Sequence, residues 1–373
     1  MFRICSSIGT SERRRRIRPW LGIALLTIVG CSERPLTCQI SPNVVDNDAA
    51  TSPIHDPSIE HFDDRYYVYS SSALGSFYQS ADLTNWQASG AVFDAMPDWL
   101  LRELPEADHI GAPDISYYQG RYLLFYQSHI SDTCNAATGL ASNAVLDPEH
   151  PDYAWVDHGL ILRSKPFYDD VPIYCGNDDA TFNAIDAQFF VDEENIPWLV
   201  FGSTIGGIKL IQLDPKTLKP ADDAAYTTLA QRWLLQEDPI IEAPFITFRD
   251  GYYYLFMSFN HCCIYDDTSY QMRFGRSKEV TGPYIDQQGW PLYLGGGSLL
   301  IATDPPFVAT GHGDIMQTDD RHWLVHHAKL PAKNHLAHLQ IRALNWTEDQ
   351  WPTVCQPQTF QGPIRRPSAT TRP

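Results

Sequence analysis

A hairpin pattern recurs five times in this chain of 373 residues. Each copy opens on a polar or acidic residue and runs through apolar positions to a turn of Asp, Gly or Asn type. It then returns as an aromatic–aliphatic strand that ends in small polar residues. The copies are HDPSIEHFDDRYYVYSSS from His55, APDISYYQGRYLLFYQS from Ala112, IDAQFFVDEENIPWLVFGS from Ile185, EAPFITFRDGYYYLFMSF from Glu242 and GHGDIMQTDDRHWLVHHA from Gly311. They start 57, 73, 57 and 69 residues apart. Alternation and turn chemistry make each copy two antiparallel strands. Further short strands lie between the copies, around 207–213, 273–277 and 339–346, and helical periodicity is nearly absent outside 92–104. Four short strands in about 60 residues, repeated, describe the blades of a propeller. Such a unit cannot bury its faces alone, so five of them must close into one ring. The expected fold is all-β: a five-bladed β-propeller over residues 51–355, followed by a polar tail at 356–373.

Ring closure gives the polar residue at the head of each copy a meaning. Equivalent points of the repeats lie at one end of the central channel. These points are Asp56, Asp114 (or the loop before it), Asp186, Glu242 and His312. A single Asp at a strand start is ordinarily a turn residue. Several acids converging on one cavity suit glycoside hydrolysis, in which one carboxyl group protonates the leaving oxygen while an ionised one activates water. A third carboxylate can separate the pKa values of the first two.

The N-terminus reads as an export signal. RRRRIRP at 13–19 is basic, WLGIALLTIVG at 20–30 is apolar and short for a membrane span, and Ile28-Val29-Gly30-Cys31 resembles a lipoprotein box. The expected organisation is a lipoprotein-type signal peptide at 1–30, a linker at 31–50 and then the propeller. Location is expected at the cell envelope through a lipid on Cys31, or else in the periplasm or medium. The formal charge of −18 becomes more negative once the leader's six Arg and one Glu are gone. That balance argues against nucleic acid and anionic membrane surfaces as partners and suits a neutral substrate. In an oxidising compartment Cys134 and Cys175, both in polar loops, form a plausible disulfide. His261-Cys262-Cys263 lacks the second spaced pair of a metal site. The histidines at 322, 326, 327, 335 and 338 are read mostly as polar strand and loop residues.

The motifs HDPSI (55–59), APDI (112–115), NAID (183–186), FGS (201–203), IEAPFI (241–246), GRSKEVTGPY (275–284), GGGSLL (295–300) and GHGD (311–314) occur in an order that resembles glycoside hydrolase family 43, and within it the α-1,5-L-arabinanases. The resemblance implies an inverting enzyme on a five-bladed propeller. By position, Asp56 is similar to the family's general base, Glu242 to its general acid and Asp186 to the carboxylate that tunes the acid. Asn183, Ser203 and Asp114 correspond to substrate-binding positions. His312 is similar to the channel histidine that ligates a central ion, commonly calcium, mostly through waters. Inversion requires roughly 6.5–9.5 Å between base and acid. Two departures bear on substrate: Gly111 stands where these enzymes usually carry Trp, and Thr204-Ile205 stand where an aromatic tends to follow FGS. The expected substrate is arabinan or its oligosaccharides, from plant cell wall, acted on by a monomer. An α-L-arabinofuranosidase or β-xylosidase is the nearest enzymatic alternative. A non-catalytic polysaccharide-binding propeller is the alternative of another class.

Overall fold

The structure is a computed structural model that describes residues 53–354, apart from 132, 168–174, 178–179, 233–237, 264–267 and 319–320. The expected signal peptide at 1–30, Cys31, the expected linker at 31–50 and the expected tail at 356–373 lie outside the described residues. Five antiparallel sheets follow one another along the chain, each built from consecutive strands. Blade 1 holds β1 (Ser58–Phe62), β2 (Arg65–Ser70), β3 (Ser76–Ser80) and β4 (Gln87–Ala91). Blade 2 holds β5 (Gly111–Tyr118), β6 (Arg121–His129), β7 (Ala136–Asn143), β8 (Val156–Pro166) and β9 (Cys175–Gly176). Blade 3 holds β10 (Gln188–Val191), β11 (Pro197–Phe201), β12 (Ile208–Gln212) and β13 (Thr227–Ala230). Blade 4 holds β14 (Ile241–Arg249), β15 (Tyr252–Phe259), β16 (Gln271–Ser277) and β17 (Ser298–Ile301). Blade 5 holds β18 (Val308–Gln317), β19 (His322–Leu330), β20 (Leu336–Trp346) and β21 (Pro352–Val354). A short helix α1 (Asp98–Glu103) falls within the one segment where helical spacing was expected. The fold is the expected five-bladed β-propeller.

Local chemistry explains the hairpins. Arg249 pairs with Tyr252 across Asp250-Gly251, whose φ values of 48° and 83° are those of a type I′ turn. The apolar faces of neighbouring blades meet in five separate cores. Tyr69 and Phe77 of blade 1 pack with Ile115 and Leu124 of blade 2. Phe125 and Leu140 pack with Phe189 and Phe201. Val200 and Leu210 pack with Ile246 and Met257. Phe256 and Phe274 pack with Ile315 and Leu324. The fifth core closes the ring, setting Val325 and Ile341 of blade 5 against Ile59 and Val68 of blade 1.

Among the described residues blades 5 and 1 share no sheet; besides their apolar core and a bond from Ile54 N–H to Ala337 O (3.1 Å), a polar ring joins the blades. One side chain from each of four innermost strands accepts a backbone N–H from the next blade. Ser58 Oγ takes Ile115 N–H (3.1 Å), Asp114 Oδ2 takes Phe189 N–H (3.0 Å) and Gln188 Oε1 takes Ile246 N–H (3.0 Å). Asp314 Oδ2 takes Ile59 N–H (2.8 Å) and also accepts from Ser58 Oγ (2.8 Å), across the closure. Asp314→Ala would leave two buried donors without an acceptor, at about 3 kcal/mol. Its thermal midpoint should therefore fall by several degrees; an unchanged midpoint contradicts this account of closure.

Candidate active site

Each innermost strand carries a residue of left-handed backbone just before it or within its first half. These are Asp56, Ala112, Asp186, Ala243 and His312, with φ of 53°, 36°, 54°, 53° and 49°. Five non-glycine residues at the same point of five repeats mark a conserved geometric demand of the ring, since such φ values are costly for L-residues. This register corrects the equivalence expected from sequence. Asp56, Asp186 and His312 are equivalent; Ala112 and Ala243 complete the set. Glu242 precedes its blade's left-handed residue by one, and Asp114 follows its own by two.

A second polar ring holds these residues. Each left-handed N–H is accepted by a side chain of the preceding blade. Ala112 N–H goes to Ser71 Oγ (2.8 Å), Asp186 N–H to Gln127 Oε1 (2.6 Å), His312 N–H to Ser258 Oγ (2.9 Å) and Asp56 N–H to His327 Nδ1 (3.2 Å). For Ala243 the acceptor is Asp186 Oδ2 (3.0 Å). The small polar residues that end the outgoing strands of the repeat are therefore the clamps of the next blade's entry. Their presence was visible in sequence, but their role was not.

Asp56, Asp186 and Glu242 converge at this mouth, with His312 beside them. Asp56 Oδ2 accepts from Ser71 Oγ (2.6 Å), and Oδ1 lies 2.7 Å from His55 Nδ1 and 3.1 Å from His312 Nδ1. Burial alone would raise the Asp56 pKa, but the charges and hydrogen bonds of His312 and His55 outweigh it and hold the carboxyl well below its ordinary range. His312 is the counterpart: burial disfavours its charge, yet Asp56 first, then Asp186 and Glu242, raise it to about 9. Glu242 goes the other way. Burial first, then the negative charge of Asp186, push it up to about 7, against the hydrogen bond that Tyr270 donates at 2.8 Å. Asp186 is also raised, by burial first and then by Asp56, with His312 opposing. Its Oδ1 accepts from Gln127 Nε2 at 3.0 Å. The mouth thus keeps one carboxylate ionised and another protonated near neutrality.

The other expected site residues lie apart. Asn183 Nδ2 donates to Ser203 Oγ (3.0 Å), and both are buried on blade 3. Asp114 is buried too, and its Oδ2 accepts from Phe189 N–H and Ser116 Oγ, which gives it a part in the polar ring. Gly111, in the place of the expected Trp, lies under His109: a Cβ there would meet His109 Cδ2 at 3.2 Å. His109 Nε2 in turn lies 3.3 Å from His129 Nδ1. Thr204 Oγ1 accepts the N–H of Ile241, the residue before Glu242 (3.3 Å). His327, read from sequence as an ordinary strand histidine, belongs to the Asp56 surroundings. It accepts Asp56 N–H at Nδ1 and stacks on His55 at 4.1 Å. Burial first, then His55, lower its pKa well below the usual value, so its 3.6 Å approach to the Asp56 carboxylate is no ion pair. Cys134 and Cys175 are disulfide-bonded, as expected, and Cys262 is bonded to its neighbour Cys263.

A five-bladed propeller with an ionised and a protonated carboxyl group at one channel mouth is the framework of a glycoside hydrolase. Comparison with known proteins narrows the class. A family model for glycosyl hydrolases family 43 matches residues 48–352, and the chain belongs to that family. It is 36% identical over 309 residues to an extracellular exo-α-(1→5)-L-arabinofuranosidase of Cellvibrio japonicus, covering 81% of this chain and 86% of the relative. It is 32% identical over 310 residues to extracellular endo-α-(1→5)-L-arabinanase 1 of Bacillus subtilis, covering 82% and 88%. Among solved structures, the α-L-arabinanase of Cellvibrio cellulosa complexed with arabinohexaose superposes with a TM-score of 0.75 at 35% identity, covering 82% of this chain and 96% of that one.

Proposed function

We propose that this protein hydrolyses α-L-arabinofuranosyl linkages of arabinan and its oligosaccharides with inversion of configuration. The observation that carries the mechanism is the split between Asp56, held ionised, and Glu242, raised to about 7. Glu242 is the general acid, donating its proton to the leaving oxygen as the glycosidic C–O bond breaks. Asp56 is the general base, taking a proton from the water that attacks the anomeric carbon from the opposite face. Asp186 raises the Glu242 pKa by its charge and sets the backbone beside it through Ala243 N–H. Asn183 and Ser203, bonded to each other, are proposed to meet substrate through their remaining polar capacity. Wild type incubated with linear arabinan should release arabinose or short oligosaccharides. Retention on arabinan without release would instead mark a binding propeller.

His312 lines a small void in the channel, of ≈ 20 Å³, together with Asp114, Asp186, Gln188 and Asp314. Among the described residues lining that void there is no Lys or Arg, while Asp114 and Asp314 are buried with raised pKa values, burial being the first cause. Buried oxygen donors with no Lys or Arg among them fit a hard ion, which would take the place of the His312 proton, and the void has room for one water-sized sphere. We propose calcium there, held by His312 and the channel carboxylates, largely through water. His312 would have to give up one proton to hold an ion, and the ion's charge would then stand in for the imidazolium that keeps Asp56 ionised. When bound, the ion supplies positive charge beneath the acids. Calcium added back to chelator-treated protein should raise its thermal midpoint; identical melts with and without calcium contradict the assignment.

The two curated relatives above are extracellular by name, which supports export of this chain. We propose a monomer tethered by a lipid on Cys31. Cys31→Ser should then leave the membrane fraction; if it stays there with wild type, the tether is something else.

A further inference from the structure

Cys263 and Tyr270 reach opposite halves of the catalytic mouth. Tyr270 O–H donates to Glu242 (2.8 Å). Cys263 Sγ lies 4.0 Å from His55 Nε2, and His55 Nδ1 lies 2.7 Å from Asp56. Lys329 Nζ, from β19, donates to the same sulfur at 3.0 Å. His261 N–H goes to Asp238 Oδ2 (3.0 Å), and Thr268 Oγ1 donates to the carbonyl oxygens of His261 (2.7 Å) and Cys262 (3.2 Å). The Cys262–Cys263 disulfide is thus one histidine away from the general base, and Cys263 is exposed.

Stability does not explain this bond. A disulfide stabilises chiefly by closing a loop in the unfolded chain, and one between neighbours closes almost none. The Cys134–Cys175 bond, spanning 41 residues and buried, is the contrasting case. What adjacent cysteines do provide is a stiff, polarisable, weakly hydrogen-bonding surface whose rotamers are already fixed. The Cys263 sulfur meets two polar groups, His55 Nε2 and Lys329 Nζ. The aromatic surfaces usual for sugar stacking are meanwhile absent at Gly111 and Thr204-Ile205.

We propose that the Cys262–Cys263 disulfide is a substrate-binding wall of the cleft, packing against the C–H face of an arabinofuranosyl ring beside the scissile bond. The proposal rests on the hydrolase function given above and adds a binding element to it. The test compares wild type with Cys262→Ser/Cys263→Ser on a linear arabino-oligosaccharide. KM should rise on the order of tenfold, as expected for one lost apolar contact, with kcat within a few-fold and the thermal midpoint unchanged. A second arm keeps the native sequence: mild reduction and alkylation of Cys262 and Cys263, mapped by mass spectrometry, should raise KM likewise. KM unmoved in both arms overturns the wall, as does a drop in kcat and midpoint at constant KM, which marks a structural staple. Active wild type beside an unmoved variant KM counts against the wall alone, leaving the hydrolase function intact.

Discussion

Glu242→Gln lowers kcat/KM on linear arabinan by roughly 10²–10⁴-fold, the usual contribution of a positioned general acid. The loss falls on proton delivery, so it depends on the leaving group. A sugar alkoxide cannot depart without the proton; a nitrophenolate can. The same variant should therefore lose far less on a nitrophenyl arabino-oligosaccharide. Equal losses on both substrates would assign Glu242 a different role. The pH profile gives an independent sign. Activity requires Glu242 protonated, so wild-type kcat/KM should fall as pH rises through about 7. Asp56 must be ionised, and because its pKa is held well below 3.8 the activity should persist far into the acid range. In Asp186→Asn the negative charge that helps keep the proton on Glu242 is gone. Burial remains, so the alkaline limb should move down by about one pH unit rather than back to that of a free Glu. A limb that stays put excludes Asp186 as the tuning group.

Asp56→Asn is the larger loss, roughly 10³–10⁴-fold, and it spares no substrate. Without the base, water is not activated whatever the leaving group, so arabinan and the nitrophenyl substrate suffer alike. Asn is chosen because it accepts the left-handed backbone of position 56 and can still accept from Ser71. Azide needs no base. It should restore turnover of the nitrophenyl substrate by forming a bond to the anomeric carbon as the phenolate leaves. The product expected is the β-arabinofuranosyl azide. An α-azide, or full activity in the variant without azide, would contradict the assignment.

Much of the ring was legible because a repeat leaves periodic traces: the turn at Asp250-Gly251 and the five strand-leading motifs need no structure to be seen. The register within the motif was less so. Aligning acid with acid placed Asp114 and Glu242 at equivalent points, whereas the backbone aligns Ala112 with Ala243. A left-handed φ at alanine has no signature in composition. The role of the strand-ending residues was hidden for another reason. Ser71, Gln127, Ser258 and His327 act on the blade that follows, more than forty residues from Ser71 to Ala112, and single-chain patterning carries no such distance. The bond between Cys262 and Cys263, and its place near His55, likewise depend on how blades 4, 5 and 1 meet.

Stereochemistry tests the central claim most directly. Linear α-1,5-arabino-oligosaccharide hydrolysed by excess wild type is followed by proton NMR from the first seconds, before the anomers equilibrate. Water activated by Asp56 opposite a leaving group protonated by Glu242 yields the β-anomer first. An α-anomer appearing first would require a covalent arabinosyl-enzyme and would contradict the mechanism built on these two carboxyl groups.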